Sequence, residues 1–173
     1  IDNVLSRAAE GGHLKIVKWL FTTDIPLEER RAMNAASAHG HFKVLKLIFT
    51  RTNRRNVFQS ISSAAENGHL KIIKWLCLHE IDAVTAEAFS KAARGGHFRV
   101  LKWLYKHYPD KTSKFTMDEA VENGHLEIVK WLHKRNEKIQ ESRVFSNVAK
   151  NDHLEVMKWL KENGYEQCDE ETM

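Results

Sequence analysis

Six histidines recur along the chain at a constant interval of 28 residues: His13, His41, His69, His97, His125 and His153. Imidazole nitrogens bind metals and exchange protons near neutral pH, so such an array could form a metal or acid–base site. Packed helices lie about 8–10 Å apart, whereas zinc holds nitrogen ligands at about 2.0–2.1 Å. Two histidines of neighbouring units therefore cannot share one ion. We predict instead a structural role, in which each ring bonds the backbone of an adjacent turn.

A tryptophan stands six residues after the histidine in five of the six units: Trp19, Trp75, Trp103, Trp131 and Trp159. A row of exposed aromatic rings could stack the bases of a single-stranded nucleic acid. Each tryptophan, however, directly precedes an apolar position of the same string, and Leu47 replaces it in the second unit. Both features favour packing between units, where aromatic rings bury much apolar area.

A lysine stands five residues after every histidine, and we call this set the lysine row: Lys18, Lys46, Lys74, Lys102, Lys130 and Lys158. A basic stripe could bind the phosphates of nucleic acid or another anionic surface, and such binding would weaken steeply with salt. The alternative is a solvated face that keeps the array soluble. The chain lacks the aromatic and glycine pattern of an RNA-binding module. Nucleic acid is therefore the less favoured partner.

The sequence contains no arrangement typical of catalysis. It has no GxSxG nucleophile motif and no GxxxxGK[ST] phosphate loop. Cys77 stands at a position where other units carry large side chains such as Phe21 or Tyr105, so we expect it to pack. We predict no catalytic residue, no metal and no cofactor, and therefore not an enzyme.

Composition is that of a globular protein, with 42% hydrophobic and 29% charged residues and a net charge of +4. No run of 18 apolar residues is present, so no membrane span is predicted.

The histidine interval divides the chain into six consecutive units, with an acidic tail at 169–173. The predicted repeats are 1–28, 29–56, 57–84, 85–112, 113–140 and 141–168, forming one domain over 1–168. Within a unit, apolar residues one, three, four and seven positions after the histidine define one face of a helix. A second helix precedes it, with small residues that allow close packing. Between the two, a glycine (Asp152 in the sixth unit) suits a tight turn. Because one such pair cannot bury its apolar face alone, the units stack into an all-α solenoid.

The string AAENGHLKIIKWL at 64–76 resembles the signature of ankyrin repeats, and this resemblance covers all six units. The units are shorter than the usual 33 residues, and Ser6 and its equivalents replace the histidine of the usual Thr-Pro-Leu-His opening. The resemblance implies stacked helix-turn-helix repeats with short connecting loops instead of β-hairpin fingers. Compact GHLxxVKWL repeats are also similar to those of eukaryotic microbes, including plant pathogens, and of giant viruses.

A stacked-helix scaffold binds through its extended concave surface. We expect a non-catalytic protein–protein interaction module whose inner helices present the positions six and three residues before each histidine, where residue types vary. The candidate binding residues are Arg7, Glu10, Ser63, Glu66, Lys91, Arg94, Glu119, Glu122, Asn147 and Lys150. Tyr108 and Phe115 are candidate anchors in the loops.

Two alternatives stay open at this stage. One is a pathogen-secreted effector that docks on a host regulatory protein by the same binding mode, which rests on the resemblance. The other, of a different class, is binding of nucleic acid or an anionic surface through the lysine row. We expect a monomer with a protein partner. We expect it inside cells, in the cytoplasm or nucleus, including a host cell after secretion.

Overall fold

A computed structural model of the chain describes residues 3–51, 57–79, 83–140 and 144–165. These residues form twelve α-helices: α1 Val4–Glu10, α2 Leu14–Leu20, α3 Glu29–Ala38, α4 Phe42–Arg51, α5 Phe58–Glu66, α6 Leu70–His79, α7 Ala86–Arg94, α8 Phe98–His107, α9 Thr116–Glu122, α10 Leu126–His133, α11 Val144–Lys150 and α12 Leu154–Glu162. A 3₁₀ turn, Pro109–Lys111, lies between α8 and α9. The acidic tail at 169–173 lies outside the described residues.

Consecutive helices form pairs joined by a tight turn, as the spacing of glycine and histidine predicts. Gly68 adopts a φ of 78°, and the backbone N–H of His69 donates to the carbonyl of Ala64 at 2.8 Å. The same turn recurs in the last pair with Asp152, whose φ is 58°. Glycine reaches this left-handed region without strain, and aspartate tolerates it better than most residues. The prediction that Asp152 takes the glycine's place in the turn is confirmed.

The odd-numbered helices α1 to α11 stack side by side and form the inner layer, whereas the even-numbered helices form the outer layer. Small side chains allow the inner helices to approach closely; Ala36, Ala64 and Ala92 are fully buried between them. Contacts between successive outer helices are sparser. The array therefore bends, with the inner helices on its concave side.

One continuous apolar core runs the length of the array between the two layers. Its outer-helix contribution comes from the leucine seven residues after the histidine, which is fully buried in five pairs: Leu20, Leu76, Leu104, Leu132 and Leu160. Such a core is shared between neighbouring pairs, because each pair lacks enough apolar surface to bury its own face.

The predicted fold class is confirmed: the described residues form an all-α solenoid and contain no β-strand. Where the structure describes a whole connection between pairs, as at 21–28 and 108–115, it is a loop or a short 3₁₀ turn. Of the helices described, none has the length and apolar character that crossing a membrane requires.

Candidate functional site

Four of the recurring histidines join one helix pair to the preceding one: His41, His69, His97 and His125. The imidazole Nε2 of His41 lies 2.9 Å from the carbonyl oxygen of Glu10, and that of His125 lies 2.8 Å from the carbonyl of Arg94. Since a carbonyl only accepts, Nε2 must carry the proton. Each of these four rings therefore satisfies a backbone acceptor near the end of the preceding inner helix. The predicted structural role is confirmed for these four histidines and stays a prediction for His13 and His153.

His97 lies in an environment that shifts its pKa. Burial lowers the pKa of His97 below its ordinary value of 6.5, and the neighbouring His69 and His125 act in the same direction. A hydrogen bond to the backbone of Glu66 opposes this shift. Within the part of the chain that the structure describes, no three histidine, cysteine, aspartate or glutamate side chains are grouped as metal ligands would be.

Three of the tryptophans, Trp75, Trp131 and Trp159, pack against rings of the preceding helix pair. The ring of Trp131 lies 5.6 Å from that of Phe98 and 5.1 Å from that of Tyr105, both at steep interplanar angles. Edge-to-face contacts of this kind stabilise aromatic pairs. The predicted packing role is confirmed for the four partly buried rings. Trp19 differs, with 60% of its surface exposed, because no helix pair precedes α1 and α2 in the described residues.

Four of the candidate binding residues form a connected set of ion pairs on the inner face, which we call the central ion-pair cluster: Glu66, Lys91, Arg94 and Glu119. The Lys91 Nζ lies 3.1 Å from the Glu66 Oε1. The Arg94 guanidinium donates to both carboxylate oxygens of Glu119, at 2.6 and 2.8 Å. The cluster thus crosses three successive inner helices, α5, α7 and α9. These two contacts each join residues 25 positions apart, and Arg94 connects them because its Nη1 lies 3.9 Å from the Glu66 Oε1.

The central ion-pair cluster is partly shielded from solvent. The Glu119 side chain is 19% exposed and that of Arg94 is 45% exposed. The hydrogen bonds to Glu119 raise the pKa of Arg94, whereas burial acts in the opposite direction. The two-point contact fixes the direction of both side chains, as a planar guanidinium and a carboxylate match in shape.

The remaining candidate residues lie on the same face but outside this cluster. Asn147 donates to the Glu122 carboxylate at 3.0 Å, which connects α11 to α9, and Arg7 pairs with Glu10 at 3.2 Å within α1. Ser63 is half-buried and Lys150 is exposed. Between Glu10 and Ser63 the inner face carries the uncharged side chains Ala35 and Ala38. The face is therefore charged at α1, uncharged at these two positions of α3, and charged again from Glu66 onward.

The two candidate loop anchors differ in accessibility. Tyr108 is half-buried, and its hydroxyl donates a hydrogen bond to the Cys77 thiol. Burial, followed by this hydrogen bond, raises the pKa of Tyr108 to about 12. Phe115 is 39% exposed immediately before α9, with the Lys114 ammonium 4.9 Å from its ring centre. Cys77 is buried, which confirms its predicted packing role.

The whole lysine row is exposed on the outer helices, on the opposite side from the central ion-pair cluster. Lys102 lies 3.9 Å above the ring of Phe98, a cation–π contact. Lys158 pairs with Glu155 at 3.0 Å.

Sequence reasoning treated the inner-face residues as independent contact positions and did not predict that they pair with each other. A signal was available: the two hydrogen-bonded pairs of the cluster each join residues 25 positions apart, which is three fewer than the repeat interval of 28. Sequence reasoning also missed Leu78, which is 80% exposed on the outer face of α6.

The chain is similar in sequence and in structure to known repeat proteins. Residues 61–143 match the family model described as ankyrin repeats, in three copies. The chain is also similar to the crystal structure of the ankyrin repeat domain of human ASB11. That match has 16% sequence identity and a TM-score of 0.66, and it covers 92% of this chain and 83% of the other. No curated protein matches the chain in sequence. The chain has the fold of an ankyrin-repeat solenoid, and its residues 61–143 carry ankyrin repeats.

Proposed function

We propose that the chain is a non-catalytic module that binds a partner protein on the concave face of its inner helices. Ankyrin repeats generally mediate protein–protein interactions. The proposal extends the repeats from residues 61–143 to all six 28-residue units, since the histidine turn recurs in each of them.

The central ion-pair cluster is the observation that carries this proposal. Its four charged side chains hold each other in fixed directions on the concave face, and they stay partly accessible to solvent. Side chains that already hold each other in place lose less conformational entropy when a partner binds than freely moving lysines and glutamates do. Complementary charge on the partner then determines orientation and specificity.

Phe115 supplies the apolar part of the proposed interface. It precedes Glu119 by four residues, so the two lie one helical turn apart at the start of α9. Interfaces commonly combine an aromatic anchor with surrounding polar contacts. We therefore place the centre of the binding surface on α7 and α9, with Ser63, Glu122 and Asn147 around it.

Affinity capture with the full chain, followed by mass spectrometry of the bound proteins, tests this function. The variant with Lys91, Arg94, Glu119 and Glu122 all changed to alanine should lose the captured partner. A matched control with Lys18, Lys46, Lys74 and Lys102 changed to alanine alters four outer-face residues and should keep it. If the inner-face variant folds and retains the same partner, the concave-face proposal is wrong.

We also propose that the module acts as a monomer inside cells, in the cytoplasm or nucleus. The charged concave face offers no broad apolar area for a second copy, which supports a monomer. Analytical ultracentrifugation tests this directly: sedimentation of a species near 20.1 kDa is expected, and a stable dimer would contradict it.

A further inference from the structure

Positive charge is concentrated on four of the outer helices. α2, α4, α6 and α8 contain ten lysine and arginine residues and no aspartate or glutamate: Lys15, Lys18, Lys43, Lys46, Arg51, Lys71, Lys74, Arg99, Lys102 and Lys106. The last two outer helices differ, because α10 carries Glu127 and α12 carries Glu155 and Glu162. The net charge of the whole chain is only +4, so positive charge is far more concentrated on the outer side of the first four pairs than on the molecule as a whole.

Eight of these residues form one exposed surface, which we call the basic face. They stand two and five positions after each histidine, and residues three apart lie on the same side of a helix. The members are Lys15, Lys18, Lys43, Lys46, Lys71, Lys74, Arg99 and Lys102, and all are exposed. With packed helices about 8–10 Å apart, the four pairs of charges extend over roughly 30 Å. Within the described residues none of the eight forms an ion pair with a carboxylate.

We propose that the basic face binds the surface of a membrane that contains anionic phospholipid. Clusters of four to eight basic side chains attract such surfaces. The face lies opposite the concave protein-binding surface, so the two interactions use separate residues. The chain would then hold its protein partner at a membrane surface without inserting a helix.

Exposed apolar side chains around the basic face favour a membrane over nucleic acid. Leu78 is 80% exposed and follows Lys71 and Lys74 on the same side of α6, seven and four positions later. Trp19 is 60% exposed on α2, next to Lys18. Apolar side chains gain little against a phosphate backbone, whereas they enter the headgroup and acyl boundary of a bilayer. The other tryptophans pack between helix pairs and offer no row of free rings for base stacking.

A shallow cavity lies at one edge of the basic face. Its volume is about 330 Å³, and its lining includes Lys43, Lys71 and Phe42. The Lys71 ammonium lies 4.6 Å from the centre of the Phe42 ring. The lining brings two lysine side chains and one aromatic ring to the same cavity, a combination that suits a phosphate-bearing headgroup. The cavity thus offers a place where one lipid is held more firmly than by diffuse attraction alone.

Co-sedimentation of the full chain with vesicles tests the proposal. We expect binding to vesicles of phosphatidylcholine with phosphatidylserine, little binding to pure phosphatidylcholine, and weakening as salt rises. The variant with Lys18, Lys43, Lys46 and Lys74 changed to glutamate should bind the anionic vesicles about tenfold more weakly or worse. These four lysines contact no ring or carboxylate in the described structure, so the fold should be kept.

A matched variant controls for net charge. Arg30, Lys134, Lys138 and Lys161, which are exposed outside the first four outer helices, are changed to glutamate with the same total charge change. This control should retain much more vesicle binding than the basic-face variant; equal loss in both would overturn the proposal. Absence of binding of the unmodified chain at low salt would do the same.

A third comparison separates membrane from nucleic acid. Leu78→Asn should weaken vesicle binding about threefold or more, whereas Val4→Asn on inner helix α1 should not. The chain is also tested with duplex DNA and single-stranded RNA. If it binds either more tightly than anionic vesicles, and Leu78→Asn does not change that binding, the partner is a nucleic acid and the membrane proposal is wrong.

Discussion

In the first five turns, the glycine directly before the histidine makes room for the histidine of the next pair. Gly96 has a φ of 72°, and a β-carbon at this position would lie 2.5 Å from the Cε1 of His125. The same imidazole bonds the carbonyl of Arg94. Glycine is therefore required here for two reasons, its backbone angle and the space that the ring occupies. Gly164 has a similar φ of 74° but nothing within 4 Å of its β-carbon position.

Comparing Gly96 with Gly164 separates the cost of the left-handed backbone angle from the cost of displacing the histidine ring. Gly164→Ala should lower the free energy of unfolding by about 1 kcal/mol, since only the left-handed backbone is penalised. Gly96→Ala should lower it by about 2–3 kcal/mol, because displacement of the ring also weakens its hydrogen bond. Urea unfolding of both variants measures the difference. Equal losses would mean that the ring moves aside without cost.

His97 makes the stability of the array depend on pH. Burial lowers the pKa of this side chain in the folded state below 6.5, its ordinary value in an unfolded chain. The unfolded chain therefore binds the proton more readily, and stability falls as the pH drops below about 6.5. Above that pH both states are neutral and this contribution vanishes.

His97→Gln tests this dependence, since the amide can still donate to the backbone of Glu66. The unfolding free energy of the variant should decline less than that of the unmodified chain between pH 7.5 and pH 5. A difference that stays constant over this range would contradict the assignment to His97.

At the scale of single residues, the sequence was most informative about the recurring histidines. The constant interval of the histidines predicted their structural role, because a residue that every unit needs belongs to the scaffold. The exposure of Trp19 was not predictable from its type or position. It follows from the missing helix pair beside it in the described residues, which is a property of the stack and not of the unit.

At the scale of elements, the central ion-pair cluster connects helices that the apolar core already holds together. Arg94 and Glu119 link α7 to α9, and Lys91 and Glu66 link α5 to α7. Since the side chains are partly exposed, the pairs contribute modestly to stability. Their larger effect is to fix the directions in which charges point on the concave face.

A double-mutant cycle between Arg94→Ala and Glu119→Ala quantifies this link. We expect a coupling free energy of about 0.5–1 kcal/mol, because the contact is two-pointed but accessible to solvent. The exposed pair Lys158 and Glu155 within α12 provides a control and should give about 0.3 kcal/mol. Both coupling free energies should be smaller in high salt than in low salt, as measured by thermal unfolding. A coupling at α7 and α9 no larger than the control would remove the structural role assigned to this pair.

The helices of the array were predictable from apolar spacing, but the partners of the candidate binding residues were not. Sequence spacing places Lys91 and Arg94 on one face of α7. It does not say whether they point to a ligand or to Glu66 and Glu119 of the neighbouring helices. That depends on the offset between stacked helices, which the closely packed alanines determine. Their prediction as a protein-binding surface stays a prediction.

At the scale of the whole molecule, stability is distributed along a line. Each inner helix from α3 to α9 contacts a neighbour on either side in the stack, so the pair of α7 and α8 lies between two other pairs. In the described residues α11 and α12 have a neighbouring pair on one side, formed by α9 and α10. In such arrays the stability of a unit depends on its own packing and on its nearest neighbours.

Two equivalent leucines test this distribution. Leu104 in α8 and Leu160 in α12 are both fully buried, and truncation to alanine should cost each about 2–5 kcal/mol locally. Leu160→Ala should increase amide hydrogen exchange mainly in residues 144–165, because the last pair can open without its neighbours. Leu104→Ala should increase exchange across 57–140, since the pairs on both sides lose a partner. If Leu160→Ala raised exchange equally in α1 to α4, the array would unfold as one unit, and the nearest-neighbour description would not apply to this chain.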